Sequence, residues 1–255
     1  MVEGRIPETG QIVNTAGVLG LEPFLQKSEI LYVNKVPDDG WLRTLYGKTD
    51  VYLYKYTKVK VVEFKKGRTY FKVLDGSSSG KTLSLMDANA KEYLGRTPPT
   101  LSALEVVVTY GKYEEGWYSK AKDEYLNQQW AKFEFDGTYF CYSIDVTMNS
   151  VWGKDYSPLQ AGEYTILLPD SPHNKNMTRF YRDFEPKLKY DQVWFPISYG
   201  DNSRYVHVGN VSEGCVTIVN LASWADIHDE LISHRANDGK SVGKLTVNGK
   251  PEREK

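Results

Sequence analysis

The sequence predicts a mainly β protein in two parts, a small β module followed by a larger β domain that carries one helix near its C-terminal end. Three observations predict it. Aromatic residues make up 13% of the chain, 19 of them tyrosines, and they gather with valine and threonine in short alternating runs of the kind that favours strands. Breaks containing glycine separate many of those runs. One stretch, residues 221–235, instead spaces its apolar residues for a single helical face. At 40% hydrophobic and 25% charged, the 255-residue chain has an ordinary globular composition and enough length to bury a sizeable core, which excludes disorder as its main state.

Residues 50–56 (DVYLYKY) and 58–64 (KVKVVEF) alternate, and residues 69–74 (TYFKVL) follow the short turn Lys66-Gly67-Arg68, so three consecutive strands form a small barrel or sheet. The glycine and serine cluster at 76–80 ends that pattern. Residues 82–93 then read as a strand followed by a short helical turn, and Pro98-Pro99 reads as a connector between a module over 1–100 and a domain over 101–255. In the domain, residues 101–110 (LSALEVVVTY) are a strand and residues 118–129 are helix-compatible. Residues 130–135, 138–144 and 163–168 are strands, the first two joined by a tight hairpin at Asp136-Gly137. Leu221, Trp224, Ile227, Leu231 and Ile232 then mark the buried face of the helix.

Lysine plus arginine (32) nearly equals aspartate plus glutamate (33), so no global field draws the chain to nucleic acid or an anionic membrane. The apolar runs fall far short of the roughly 20 residues that cross a bilayer, which argues against membrane insertion. The opening residues 1–7 lack the basic patch and apolar run of a secretory signal, and the expectation is another export route or a leader already trimmed. Two cysteines, Cys141 and Cys215, allow one disulfide at most and leave the redox compartment undecided.

The densest chemical signal is Tyr205-Val-His-Val-Gly-Asn-Val-Ser-Glu-Gly-Cys-Val-Thr-Ile218. Val206 and Val208 flank His207 in strand-like alternation, and Cys215 opens a second apolar strand after a short polar turn, so two adjacent strands bring imidazole and sulfur together. A cysteine nucleophile attacks as thiolate and needs a neighbouring base, a role for which histidine titrates in the right range. The amides of Glu213, Gly214 and Cys215 are placed to stabilise an oxyanion, Gly214 permits the tight turn, and the Ser212 hydroxyl braces it. A carboxylate at Glu213 raises the thiol pKa if it faces the sulfur, unless His207 or an arginine compensates.

These residues resemble the signature of the L,D-transpeptidase family. His207 with Gly209 is similar to the family's histidine element, Ser212-Glu-Gly-Cys215 to its nucleophile turn, and Val216-Thr-Ile218 to the strand that follows the cysteine. Upstream, Ser157-Pro-Leu-Gln-Ala-Gly-Glu-Tyr-Thr-Ile166 resembles the family's proline and glycine segment. The resemblance covers residues 127–235. Two features depart from the family pattern: Glu213 stands where the cell-wall enzymes carry histidine, and His207 lies closer to the cysteine than their histidine does. Compact variants of this kind resemble effectors that bacteria deliver through type VI secretion.

The resemblance implies an L,D-transpeptidase-like β-sandwich with a terminal helix, preceded by a module that analogy with wall enzymes makes SH3-like. It implies a cysteine acyltransferase or hydrolase that modifies peptidoglycan, acts on tetrapeptide stems through a thioester on Cys215 activated by His207, and needs no cofactor. Crosslinking, L,D-carboxypeptidase trimming and D-amino-acid exchange remain open. Its partners are stem peptides, with an immunity protein or secretion apparatus in addition, and its place is the bacterial envelope or periplasm. Two other classes stand beside it: a noncatalytic envelope or phage structural protein with a degenerate form of the fold, and a cysteine amidase or peptidase.

The remaining residues carry simpler readings. Arg204 and Tyr199 are candidates for substrate binding, as carboxylate clamp and groove wall, alongside Gly209 and Glu213. Arg179 and Arg182 read as surface residues, Trp194 and Tyr205 as aromatic packing near the motif, and Cys141 as core. His173, His228 and His234 lack metal-ligand spacing, and the latter two read as solvated or capping residues on the helix. Residues 76–82 (GSSSGKT) read as a turn, since the phosphate-loop spacing is absent.

Overall fold

The computed structural model describes residues 25–153 and 157–254, so the opening residues 1–7 lie outside the described residues. Two sheets account for the β content. The first collects β1 (Ile30–Val33), β2 (Leu42–Tyr46), β3 (Thr49–Leu53), β4 (Lys58–Lys65), β5 (Arg68–Val73), β6 (Thr82–Met86) and β7 (Leu94–Gly95), with helix α1 (Asp87–Tyr93) between the last two. Its order is β3-β2-β6-β5-β4-β1-β7, antiparallel throughout, curled into a half-barrel. Alternation in β4 and β5 places Val59, Val61, Phe71 and Val73 on the inner side, where they join Leu31, Leu53 and Leu83 in one core.

The second sheet is built from β8 (Leu104–Ser119), β9 (Glu124–Asp136), β10 (Cys141–Asn149), β11 (Gly162–Leu167), β12 (Phe195–Ile197), β13 (Arg204–Val208), β14 (Val216–Ile218) and β15 (Ser241–Asn248). It closes into an eight-strand ring in the order β10-β14-β13-β12-β11-β15-β8-β9. β13 runs parallel to β14 and β15 parallel to β8, with antiparallel pairs elsewhere. Inward residues such as Val108, Phe133, Val146, Val206, Val216 and Leu245 fill the ring. Helix α2 (Trp224–Ser233) packs on it through the predicted face, with Trp224, Ile227, Leu231 and Ile232 all buried.

The two sheets meet over a mixed surface. Trp41 and Tyr54 of the first module sit in the second core, the Trp41 indole donates to the Gln192 carbonyl at 3.0 Å, and Lys55 pairs with Asp229 on α2 at 2.9 Å. Arg235, just past α2, donates to the carbonyls of Ile232 and His234 at 2.7 Å each and lies 5.7 Å from the Tyr54 ring centre, so it binds the helix C-terminus to the first module.

Several expectations need correction. Residues 118–129 form the end of β8, a turn and the start of β9, because Tyr118 and Tyr125 pair across the hairpin, the buried Gln129 amide donates to the Gly111 carbonyl of β8, and the buried Gln128 amide donates to the Asn210 carbonyl. The hairpin at Asp136-Gly137 is not a two-residue turn; the strands part at Asp136 and Cys141, and Gly137 N–H bonds the Phe140 carbonyl at 2.9 Å. Glu230 on α2 holds that loop by accepting from the Thr138 N–H and hydroxyl. Cys141 is exposed, since it opens β10 at the far end of the hairpin opposite Asp136. His228 and His234 are buried, the first against Tyr190 with ring centres 4.2 Å apart, the second against Ser102. Arg182 makes an ion pair with the fully buried Asp191.

Candidate active site

The pair that matters is β13 and β14. Their parallel register sets Val206 opposite Val216, His207 opposite Thr217 and Val208 opposite Ile218. The valines and isoleucine face the core, so alternation turns His207 and Thr217 to the outer side, and the same alternation carried back to residue 215 puts Cys215 on that side beside Tyr205. A parallel pair ordinarily needs a crossover of a dozen or more residues. Here the segment 209–215 suffices because both strands are short. Gly214 makes the return possible: its φ is +94°, and a Cβ there would stand 2.2 Å from the Ser157 carbonyl oxygen.

Ser212 holds the same turn from two sides. Its hydroxyl donates to the Cys215 carbonyl at 2.8 Å, and its N–H donates to the Ser150 hydroxyl at 2.7 Å, while its own carbonyl accepts from Ser150 N–H. Asn210 is fixed likewise, its N–H on the Tyr181 hydroxyl at 2.8 Å and its carbonyl on the Gln128 amide at 2.9 Å. The loop carrying the cysteine is therefore anchored to β9, to Ser150 just past β10 and to the segment before β12.

His207 Nδ1 lies 3.0 Å from the Val208 carbonyl, which can only accept, so Nδ1 carries the proton. Nε2 then accepts from the Thr217 hydroxyl at 3.1 Å. The ring stacks on Trp194 with centres 4.0 Å apart and planes 16° apart, and Trp194 stacks in turn on His173 at 4.0 Å. Tyr205 closes the stack edge-on. Arg182 and the Thr178 hydroxyl bind Asp191, whose carbonyl accepts from the Trp194 indole, and this fixes the segment that roofs the site.

His207 and Cys215 are 5% and 6% exposed, and both line a cavity of about 300 Å³ with Trp194, Gly209, Glu213 and Lys122. Burial pushes the imidazole down to about 4 and the thiol up to about 11, so both are neutral at physiological pH. The Tyr205 backbone and Arg204 favour the thiolate, and Glu213 opposes it. Glu213 is exposed at the cavity wall, so burial outweighs its carboxylate as the cause of the raised pKa.

The structure thus brings His207, Cys215, Gly209 and Glu213 to one cavity and sets Ser212 and Gly214 behind it as braces. Arg204 and Tyr199 stand to the side: the guanidinium lies 5.6 Å from the Tyr199 ring centre and packs at Gly214, and neither lines the cavity. Sequence reasoning missed Thr217 as the partner of His207 and Lys122, Asn176 and Thr178 as lining. The signal for Thr217 was its two-residue offset from Cys215, readable only with the parallel register. Among the described residues no cluster of His, Cys, Asp or Glu is arranged to hold a metal, and no helix is long and apolar enough to cross a membrane.

No protein-family model, curated protein or solved structure matches this chain.

Proposed function

We propose that the chain is a peptidoglycan-modifying cysteine acyltransferase or hydrolase of the L,D-transpeptidase type, acting on tetrapeptide stems. The observation that carries this reading is the shared cavity of His207 and Cys215, presented by two parallel strands and a glycine-dependent turn. In the reaction, the Thr217 hydroxyl turns away from His207 Nε2, and Cys215 Sγ attacks the carbonyl beside the diamino-acid residue while its proton passes to that nitrogen. The backbone amides of the 213–215 turn face the developing oxyanion. The carbon–nitrogen bond to the terminal D-alanine breaks, and the leaving amine takes the proton from His207. Water, a second stem's amine or a free D-amino acid then attacks the thioester, gives its proton to Nε2, and the thiol is regenerated with it.

Both groups rest neutral, so the proton crosses from a thiol near 11 to an imidazole near 4, an uphill transfer that binding of the stem has to offset. In this reading the ring is an L,D-transpeptidase-like domain and the half-barrel an SH3-like wall-binding module. Delivery to the envelope or periplasm by a secretion system, with an immunity protein as counterpart, belongs to the same reading. Intact-mass measurement after mixing with a tetrapeptide stem tests it: a stem-minus-alanine adduct on Cys215, absent from Cys215→Ala, is expected.

One observation favours a second reading, a noncatalytic binding or structural protein. Both ring nitrogens of His207 are engaged inside the strand pair, and Cys215 is buried with its thiol held neutral. Absence of any adduct from the folded wild-type protein would select it.

A further inference from the structure

Beside the cysteine cavity lies a larger groove of about 920 Å³. The two hollows share a dividing wall. Lys122 lines the cavity while Lys120 and Ala121, from the same turn between β8 and β9, line the groove. Asn210 lines the groove between Gly209 and Val211, which line the cavity, and the Ser119 hydroxyl bonds its side chain at 3.0 Å. A ligand held at Cys215 therefore has an adjoining space into which the rest of its molecule extends.

We propose that this groove binds the glycan to which a stem peptide is attached, an N-acetylated amino-sugar strand; the assignment rests on the peptidoglycan reading above. Three features favour a saccharide. Trp117, Tyr118 and Phe184 offer aromatic surface, with Phe184 52% exposed, and the apolar C–H face of a pyranose stacks on such surface. Polar groups stand among them for hydroxyl and acetamido partners, notably Ser143 and Asn220. The charges balance, Lys120 and Lys132 against Asp145 and Asp183, with Lys132 and Asp145 already paired at 2.9 Å, which suits an uncharged ligand.

The test is calorimetric binding to full-length Cys215→Ala of three probes: a disaccharide-tetrapeptide, the free tetrapeptide, and an oligomer of N-acetylglucosamine. The groove predicts that the sugar-bearing stem binds about tenfold or more tighter than the free tetrapeptide, that the oligomer binds measurably, and that Phe184→Ala or Trp117→Ala in that background abolishes the preference. Equal affinity for the two stems, or a preference that survives both substitutions, overturns it. Sugar binding by a protein whose wild type releases no D-alanine would sink the catalytic reading and leave the groove assignment standing.

Discussion

Cys215 owes its character to three neighbours and one medium. Burial raises the thiol to about 11, Glu213 adds to that rise, the Tyr205 backbone and Arg204 pull against it, and His207, near 4, stays neutral beside it as a weak base. Alkylation of Cys215 by iodoacetamide should therefore accelerate by about tenfold per pH unit above neutrality, as the thiolate fraction grows toward its pKa. The measurement belongs in a Cys141→Ser background, because Cys141 is exposed and would react as well. A slow rate without pH dependence would favour the noncatalytic reading. Gly214→Ala meets both a left-handed backbone and the Ser157 carbonyl, so urea denaturation should show a loss of about 2 kcal/mol or more. At this scale the sequence was informative about His207 and Cys215, whose spacing and flanking valines place them on short strands. It placed Trp194 near the motif as aromatic packing but was silent on Thr217, because that contact depends on strand direction.

Closure of the ring depends on a close approach between elements far apart in sequence. Gly243 in β15 faces Leu104 in β8, and a Cβ at Gly243 would lie 1.9 Å from the Leu104 carbonyl oxygen. Gly243→Ala is expected to cost more than about 2 kcal/mol, read from thermal melts, and an unchanged melting temperature would argue against this closure. The strands with strong alternation, β4 and β5, and the apolar face of α2 were legible from local pattern. Residues 118–129 misled because their charged and amide residues suit a helix in isolation, while in the protein Gln128 and Gln129 are buried with their side chains bonded to backbone carbonyls. β12 and β15 went unread: the first is three residues long, and the second is interrupted by Gly243 and Lys244.

Across the whole molecule, burial acts on three histidines in one direction. His207, His173 and His228 all have lowered pKa values, with desolvation the largest cause. The unfolded chain then binds more protons than the folded one from about pH 6.5 downward, so stability is fully present above that pH and is lost as pH falls toward the folded values. His207 alone should account for a loss of about 2 kcal/mol by pH 5, above the range where most carboxylates titrate. Thermal melts between about pH 7 and pH 5 check this, and a flat profile would contradict the buried neutral imidazole. The mainly β class and helix α2 were readable from composition and periodicity; ring closure and the seating of Trp41 and Tyr54 in the second core were not, since both depend on contacts between distant segments.

The proposed catalysis at Cys215 leaves a product that mass spectrometry of tetrapeptide-bearing muropeptides reads. Incubation with the wild-type protein, with and without added D-amino acid, should remove or exchange the terminal D-alanine, and Cys215→Ala should do neither. Unchanged muropeptides in the presence of folded wild-type protein would contradict the account.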